Sequence, residues 1–224
     1  MENIAGYIDH TLLKPEATKS QVQKLCVEAL KYKFASVCVN PCYISEAKRI
    51  LEGSEVKVCC VVGFPLGAGS KEAKVSETED ALQKGAQEVD VVLSIGAVKS
   101  DDWEYVEKEI EEIAKVVHKN NKILKVILET CLLTKDEIEK ACLVAEKAGA
   151  DFVKTSTGFS YGGAKADDVR LMRKTVKANV GVKASGGIST YSQAIAMIEA
   201  GANRIGTSHG VEIVEEEQRM EEMA

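Results

Sequence analysis

The sequence lacks the features that mark several classes of protein. It has no apolar run near the ~20 residues that a membrane-spanning helix needs, and its start, Met1–Asn3, has neither the positive charge nor the apolar stretch of a secretion signal. Its three histidines are scattered, and no C-x-x-C or H-x-x-x-H pair occurs. We therefore predict no membrane association and no metal site.

The balance of charge is acidic. The 29 Lys and Arg residues are outnumbered by 35 Asp and Glu residues, which gives a formal net charge of −6. Such a charge disfavours binding to nucleic acid, so a negatively charged small molecule would need a local site. The cysteines number seven, an odd count, and Cys59 and Cys60 are adjacent. This is a poor basis for disulfides, and we expect a reduced, cytoplasmic protein.

Short β-rich segments alternate with amphipathic segments along the chain. The clearest helix is predicted over Trp103–His118, which has an apolar stripe at helical spacing. Capping-box patterns at Thr134 and Thr190 predict two further helix starts. Eight strand–helix units of about 28 residues each predict an α/β fold, a (β/α)₈ TIM barrel forming a single domain over residues 1–224. The predicted strands are Tyr7–His10, Ser36–Asn40, Val56–Val62, Glu88–Leu93, Ile123–Glu129, Phe152–Lys154, Val180–Ala184 and Arg204–Gly206.

A short internal repeat relates alternate strands to one another. Gly85, Gly149 and Gly201 open three copies, and each suits a helix end because glycine enters the left-handed region at little cost. Lys33 takes the place of the glycine in a fourth copy. Alternate strands of a barrel supply one layer of side chains, so the residues five positions later are predicted to share a layer. These residues are Cys38, Asp90, Lys154 and Gly206. A flavodoxin-like sheet is the alternative, but this register favours a closed barrel.

Charged residues lie near the ends of buried strands. Asp90 and Lys154 are predicted to face inward, and Lys183 ends the strand after that of Lys154. Buried charges are costly unless they are paired or functional, and a structural salt-bridge network is the alternative to a catalytic role. A lysine titrates at about 10.4 in water, so an amine nucleophile needs burial or a second ammonium group nearby. The residues alone do not say which of the two lysines is the nucleophile.

Two glycine-rich segments follow the last two predicted strands. Ser185–Ile188 comes after strand 7, and Gly206–Gly210 comes after strand 8 and before a helix. These two loops commonly form the phosphate site of a barrel, and a helix N-terminus adds its positive end. Each segment alone is equally typical of a tight turn. Together they predict a phosphate site.

Seven segments, in order along nearly the whole chain, resemble the bacterial deoxyribose-phosphate aldolase family. They are Ile8–Pro15, Ser36–Pro41, Val62–Gly67, Glu88–Val92, Phe152–Phe159, Val182–Ile188 and Arg204–Ser208. The resemblance implies a Schiff base at Lys154, with Asp90 and Lys183 as proton-transfer partners and with no cofactor. It implies reversible cleavage of 2-deoxy-D-ribose 5-phosphate to acetaldehyde and D-glyceraldehyde 3-phosphate in deoxyribonucleoside breakdown. It also suggests a homodimer or homotetramer.

The candidate substrate-binding residues are Asp9, Thr11, Cys38, Thr155, Gly158, Gly186, Gly187, Gly206, Thr207, Ser208 and His209. For Asp9 and Thr11, the alternative to substrate binding is a purely structural role. Cys38 is expected to be a pocket-lining thiol. The sequence departs from the family pattern at His209, where a second serine is usual, and at Lys33, where glycine is common. Three other functions stay open: a Schiff-base enzyme for another sugar phosphate, a phosphosugar-binding protein, and an isomerase without covalent chemistry.

Overall fold

A computed structural model describes residues 3–223, in which eight parallel strands close into a barrel. Each strand pairs with the next along the chain, and the eighth pairs with the first. The predicted (β/α)₈ barrel is therefore confirmed, and the flavodoxin-like sheet is excluded because the sheet has no open edge. The strands are β1 (Ile8–Leu12), β2 (Ser36–Val39), β3 (Lys57–Val62), β4 (Glu88–Val92), β5 (Ile123–Ile127), β6 (Phe152–Lys154), β7 (Gly181–Ser185) and β8 (Arg204–Thr207).

The described residues also form nine α-helices, which surround the barrel. The two predicted capping boxes are confirmed, since Thr134 and Thr190 accept hydrogen bonds from the backbone of the third residue of their helices. The helices are α1 (Lys19–Tyr32), α2 (Ile44–Leu51), α3 (Lys71–Lys84), α4 (Ile95–Lys99), α5 (Trp103–Lys119), α6 (Lys135–Lys147), α7 (Ala166–Thr175), α8 (Tyr191–Glu199) and α9 (Gly210–Glu222). Short 3₁₀ turns cover Ile4–Tyr7, Pro41–Tyr43 and Thr130–Leu132. None of the helices in this part of the chain is both long and apolar enough to span a bilayer.

The glycine repeat has the backbone conformation that the sequence predicts. Gly85, Gly149 and Gly201 have φ angles of 110°, 97° and 111°, and Lys33 has a φ of 59° at the end of α1. Lys33 therefore holds a left-handed position that glycine would take with less strain. The four residues five positions later each stand third in their strand, on β2, β4, β6 and β8.

The core lies between the outer face of the strands and the helices. Val89, Val126 and Ile205 are fully buried in this apolar layer. Because successive strand residues point to opposite sides, their neighbours Glu88, Asp90 and Lys125 point into the barrel. The inside of the barrel is therefore polar, and its charges are available for chemistry.

Strand β5 ends two residues before the sequence predicts. It stops at Ile127, whereas the predicted strand runs to Glu129. Glu129 takes a left-handed conformation with a φ of 57°, and the 3₁₀ turn Thr130–Leu132 follows it. The Glu129 side chain accepts hydrogen bonds from Thr157 in the loop after β6, while the Leu128 and Thr130 N–H groups still donate to the Lys154 and Thr155 carbonyls.

Candidate active site

Among residues 3–223, seven charged side chains fill the barrel beneath its C-terminal rim. Three carboxylates face four cations, so the group carries one formal positive charge in excess. Six of the seven are at least 97% buried, and Arg204 is the more exposed member. The group consists of Asp9, Glu88, Asp90, Lys125, Lys154, Lys183 and Arg204.

Asp90 is the centre of this network. Its Oδ2 accepts hydrogen bonds from Lys154 Nζ at 2.8 Å and Lys183 Nζ at 2.7 Å, and its Oδ1 accepts from Lys125 Nζ at 2.9 Å. Burial alone would raise the pKa of Asp90, but the three ammonium groups outweigh burial and hold the pKa well below its usual range. Asp90 is therefore a carboxylate at neutral pH. The structure brings Asp90, Lys154 and Lys183 together, as the strand register predicts.

The two lysines on Asp90 Oδ2 have different surroundings. Lys183 is fully buried and also contacts Asp9 Oδ2 at 2.6 Å. Burial disfavours its ammonium form, but Asp9 and Asp90 outweigh burial and raise the pKa of Lys183. Lys183 therefore stays charged. Lys154 contacts one carboxylate and reaches the floor of the adjacent pocket, so it is the lysine that a substrate can approach.

A lower tier of the network was not found by sequence reasoning. Arg204 Nη1 lies 2.7 Å from Asp9 Oδ1 and 3.0 Å from Glu88 Oε2, and Lys125 Nζ lies 2.5 Å from Glu88. Ser36 also donates to Asp9 at 2.6 Å. The signal for Lys125 was present, since it stands between apolar neighbours in a buried strand and therefore points inward.

A cavity of about 590 Å³ opens at the C-terminal rim above Lys154. This volume suits a small ligand. Nine of the fourteen predicted site residues line the cavity: Thr11, Lys154, Gly158, Gly186, Gly187, Gly206, Thr207, Ser208 and His209. The other five, Asp9, Cys38, Asp90, Thr155 and Lys183, are fully buried away from its surface. Sequence reasoning missed Lys14 and Thr157 in the cavity wall.

The two glycine-rich loops form one end of this cavity. Gly186 and Gly187 have φ angles of 88° and 77°, so both occupy the left-handed region. Thr207 Oγ1 donates to the Ile188 carbonyl at 2.6 Å and accepts from the His209 N–H at 2.9 Å, which ties the two loops together. The predicted helix after β8 is α9, and it begins just beyond this end of the cavity. Backbone N–H groups and a helix N-terminus suit an anion here.

The loop after β6 forms the wall beside the first of these glycine-rich loops and is held by Glu129. The Thr157 backbone N–H donates to Glu129 Oε1 at 3.2 Å, and the Thr157 hydroxyl donates to Oε2. The Phe159 N–H in turn donates to Thr157 Oγ1 at 3.0 Å. The Phe159 ring packs edge-to-face on Phe64, with centroids 5.2 Å apart. Glu129 thus fixes a wall of the cavity without lining it.

Three possible metal-binding atoms meet beside the network. The sulfur atoms of Cys38 and Cys59 and a carboxylate oxygen of Asp90 lie within 4.8 Å of one another. The sequence did not indicate this cluster, because its members lie on three different strands. The three lysines on Asp90 oppose a bound cation, so the arrangement does not favour a metal centre.

The comparison with known families decides between the possible barrel chemistries. A protein-family model described as DeoC/LacD family aldolase matches residues 4–216 of the chain. The chain belongs to the DeoC/LacD aldolase family. It is similar to the deoxyribose-phosphate aldolases of a Thermoanaerobacter strain, 61% identical over 96% of both chains, and of Clostridium tetani, 58% identical over 95% of this chain and 98% of the other.

Solved structures of the same kind share the fold of this DeoC/LacD aldolase. The deoxyribose phosphate aldolase of Aeropyrum pernix, described as having a unique tetrameric structure, matches with a TM-score of 0.90 and 37% identity, covering 97% of this chain and 92% of the other. Another, from Coccidioides immitis, matches with a TM-score of 0.93 and 45% identity, covering 96% and 86%. An aldolase needs an electron sink and a proton acceptor, and the candidates are Lys154 in the cavity floor and Asp90 behind it.

Proposed function

We propose that this chain is a deoxyribose-phosphate aldolase acting through a Schiff base at Lys154. It reversibly cleaves 2-deoxy-D-ribose 5-phosphate to acetaldehyde and D-glyceraldehyde 3-phosphate, a step of deoxyribonucleoside breakdown. The observation that carries the proposal is the position of Lys154, at the floor of the cavity and 2.8 Å from Asp90. The cavity takes the phosphosugar with its aldehyde end at Lys154 and its phosphate at the glycine-rich end.

Lys154 is the nucleophile because it alone of the three Asp90-bound lysines reaches the cavity. Loss of its proton leaves three cations facing three carboxylates in the barrel, so the remaining charges balance. The free amine attacks the open-chain aldehyde, and loss of water gives an iminium ion. The iminium then accepts the electron pair of the C2–C3 bond as that bond breaks.

Asp90 acts as the proton acceptor, directly or through a water molecule. While Lys154 is an ammonium group, it is one of three cations that hold the pKa of Asp90 down. The Lys154 nitrogen is again a cation as the iminium, and it becomes neutral only as it accepts the C2–C3 electron pair, so the proton affinity of Asp90 increases as the C3 hydroxyl proton leaves. Lys183 shares the same carboxylate oxygen and keeps a fixed positive charge beside it.

The phosphate binds at the glycine-rich end of the cavity. Gly186, Gly187 and Ser208 line this end, and α9 directs its N-terminus toward it. The hydrogen bonds of Thr207 hold the two glycine-rich loops together, so their backbone N–H groups are in place before the substrate arrives. This end of the cavity distinguishes the phosphorylated sugar from the free sugar.

We also propose an oligomeric state and a cellular location for the chain. The chain forms a homodimer or homotetramer, in line with the tetramer described for the Aeropyrum pernix protein. It works in the cytoplasm, where its seven free cysteines stay reduced. Light scattering after size-exclusion chromatography measures the assembly, and a monomer at micromolar concentration would contradict this part of the proposal.

The decisive experiment traps the covalent intermediate. The protein is incubated with acetaldehyde and sodium borohydride, and peptides are examined by mass spectrometry beside the Lys154→Ala variant. A reduced two-carbon adduct on Lys154, absent from the variant, supports the Schiff base. Cleavage of 2-deoxyribose 5-phosphate in preference to other sugar phosphates supports the substrate. Absence of an adduct in folded protein that still binds phosphate would favour a binding protein or an isomerase.

A further inference from the structure

The proposed reaction leaves two buried thiols unused. Cys38 on β2 and Cys59 on β3 are directly opposite each other in the strand register, and both are fully buried. Their sulfur atoms lie within 4.8 Å of each other and of an Asp90 oxygen. The adjacent Cys60 belongs instead to the apolar layer beneath the helices. Cys38 and Cys59 therefore form a pair inside the barrel, next to the proposed proton acceptor.

The backbone places this pair at a distance that a disulfide can span. Neighbouring strands lie about 4.8 Å apart, and the Cα atoms of disulfide-bonded cysteines are usually about 4.4–6.8 Å apart. Because Cys38 and Cys59 are register partners, a bond between them needs rotation of side chains and little displacement of backbone.

The two thiols differ in reactivity. The neighbouring Cys59 thiol outweighs the effect of burial and lowers the pKa of Cys38, and Lys183 and Lys154 act in the same direction. Burial raises the pKa of Cys59 well above its usual value. Cys38 is therefore the attacking thiol, and Cys59 is placed to react with it in a second step.

The apolar side chains of Leu13 and Phe64 pack against the pair. Leu13 lines the cavity and packs in a small cluster with Cys38, Cys59 and Val61. Leu13 has an exposed fraction of 7%, so its surface faces the solvent side of this cluster. A displacement of Leu13 would open a path from the cavity to this cluster for a small uncharged reagent. A large or charged reagent is excluded by the same side chain.

We propose that Cys38 and Cys59 are a reversible redox site that small uncharged hydroperoxides oxidise to a disulfide. The Cys38 thiolate attacks a peroxide oxygen, the O–O bond breaks, and hydrogen peroxide leaves its second oxygen as water. Cys59 then attacks the resulting sulfenic sulfur, the S–O bond breaks, and a second water leaves. Two thiols and one hydrogen peroxide thus give one disulfide and two waters, and an added dithiol reverses the change.

Oxidation alters the surroundings of Asp90. Cys59 Sγ lies 3.1 Å from Asp90 Oδ1 and 3.4 Å from Lys125 Nζ. A disulfide removes the S–H donor from this carboxylate, so we expect kcat/KM to fall by about tenfold, the effect of losing a hydrogen bond to a charged group. This activity readout rests on the proposed function, whereas the covalent readout does not.

The test uses a full-length protein in which each relevant tryptic peptide holds one cysteine. Cys42 shares a peptide with Cys38, and Cys60 shares one with Cys59, so Cys42→Ser and Cys60→Ala are introduced together. Neither residue lies in the proposed active site. The protein is treated with hydrogen peroxide, blocked with iodoacetamide and digested without reduction. Matched proteins carry Cys38→Ser or Cys59→Ser in addition.

We expect a cross-linked peptide pair joining Cys38 to Cys59, lighter by two hydrogen atoms and lost on treatment with dithiothreitol. The cross-link should be absent from both matched proteins, and Cys38 should advance to sulfinic acid when Cys59 is replaced. The proposal would be overturned if peroxide oxidises the exposed Cys42 of the unaltered protein but forms no disulfide between Cys38 and Cys59. A cross-link without any aldolase activity would contradict the proposed function and leave the redox site standing.

Discussion

Lys154 and Lys183 are register partners on neighbouring strands, and their Nζ atoms donate to the same carboxylate oxygen of Asp90, at 2.8 and 2.7 Å. The pair is unequal because Lys183 has a second carboxylate, Asp9, at 2.6 Å and no access to the cavity. One lysine is thus held as a permanent cation, and the other is free to react. This difference supports the proposed division of roles, in which Lys154 is the nucleophile and Lys183 is a fixed cation beside Asp90.

Replacing the two lysines should affect folding stability differently. Lys183→Met leaves Asp9 and Asp90 buried with one fewer cation, and we expect a loss of about 3–5 kcal/mol in the free energy of unfolding. Lys154→Met leaves Asp90 with Lys125 and Lys183, and its loss should be nearer about 1 kcal/mol. Urea denaturation followed by Trp103 fluorescence measures both. Equal losses would contradict the unequal roles, although both variants should lack aldolase activity.

A methyl group at Gly206 should disturb catalysis through Lys183. A Cβ there would stand 2.8 Å from Ser185 Cβ and 3.0 Å from Lys183 Cε, both too close. The Lys183 side chain must shift, and a shift of about 1 Å in a catalytic group can cost about 100-fold in rate. We expect Gly206→Ala to lower kcat by about 10- to 100-fold. Steady-state kinetics with 2-deoxyribose 5-phosphate measures this.

Gly69→Ala is the matched control for that variant, since a Cβ at Gly69 meets nothing within 4 Å. It should retain the kcat of the unaltered protein. A Gly206→Ala enzyme with unchanged kcat would show that the position of Lys183 is not critical to the rate.

Glu129 should act as a positioning residue for the cavity wall. Glu129→Ala leaves the buried Thr157 N–H without its acceptor, which costs roughly 1–3 kcal/mol and frees the loop that carries Phe159. We expect KM to rise by about tenfold with a smaller change in kcat, because the loop lines the cavity and does not carry the reacting groups. Kinetics with the phosphorylated substrate separates the two constants.

The conservative variant Glu129→Gln tests the same interpretation. Its one side-chain oxygen, at the position of Oε2, can still accept from the Thr157 hydroxyl and from the Thr157 N–H, which lies 3.4 Å from Oε2. KM should therefore return most of the way to the original value. A Gln variant as impaired as the Ala variant would mean that the charge of Glu129 matters, and not its hydrogen bonds.

Much of the fold could be predicted because local signals repeat along the chain. The repeat copies that begin at Gly85, Gly149 and Gly201 mark helix ends. They also predict equivalent strand positions for Asp90 and Lys154, which the structure brings within hydrogen-bonding distance. The capping boxes at Thr134 and Thr190 mark helix starts in the same local way.

What could not be predicted depends on contacts between distant segments. Arg204 meets Glu88 across the barrel, 116 residues apart, and nothing in either strand alone indicates the other. Cys59 approaches Asp90 only because β3 and β4 are neighbours in a closed barrel. The sequence predicts Glu129 as the end of a strand. Its backbone is left-handed in the structure, where its side chain accepts a hydrogen bond from Thr157 in a later loop. In each case the partner lies on another strand or loop.

His10 gives the fold a pH-dependent stability outside the active site. Its ring is buried between β1 and helices α1 and α9, with Glu28 Oε2 at 2.8 Å from Nε2 and Phe34 at 5.0 Å between centroids. Glu212 and His209 of the α9 start are the other charged or titratable groups that act on it. Burial lowers the pKa of His10 from the usual 6.5, because it outweighs the opposing effect of Glu28.

The sign of the effect follows from proton uptake. Between the lowered pKa of the folded state and about 6.5, the unfolded chain binds a proton at His10 that the folded protein does not, so stability rises with pH at up to about 1.4 kcal/mol per unit. We expect the unfolding free energy of the unaltered protein to increase relative to that of His10→Gln as the pH rises toward about 6.5. Urea titrations at several pH values give the difference. The control His118→Gln, which removes an exposed histidine, should show the same increase in unfolding free energy with pH as the unaltered protein. A difference that shrinks as pH rises would mean that the ion pair with Glu28 outweighs burial and that His10 is charged in the fold.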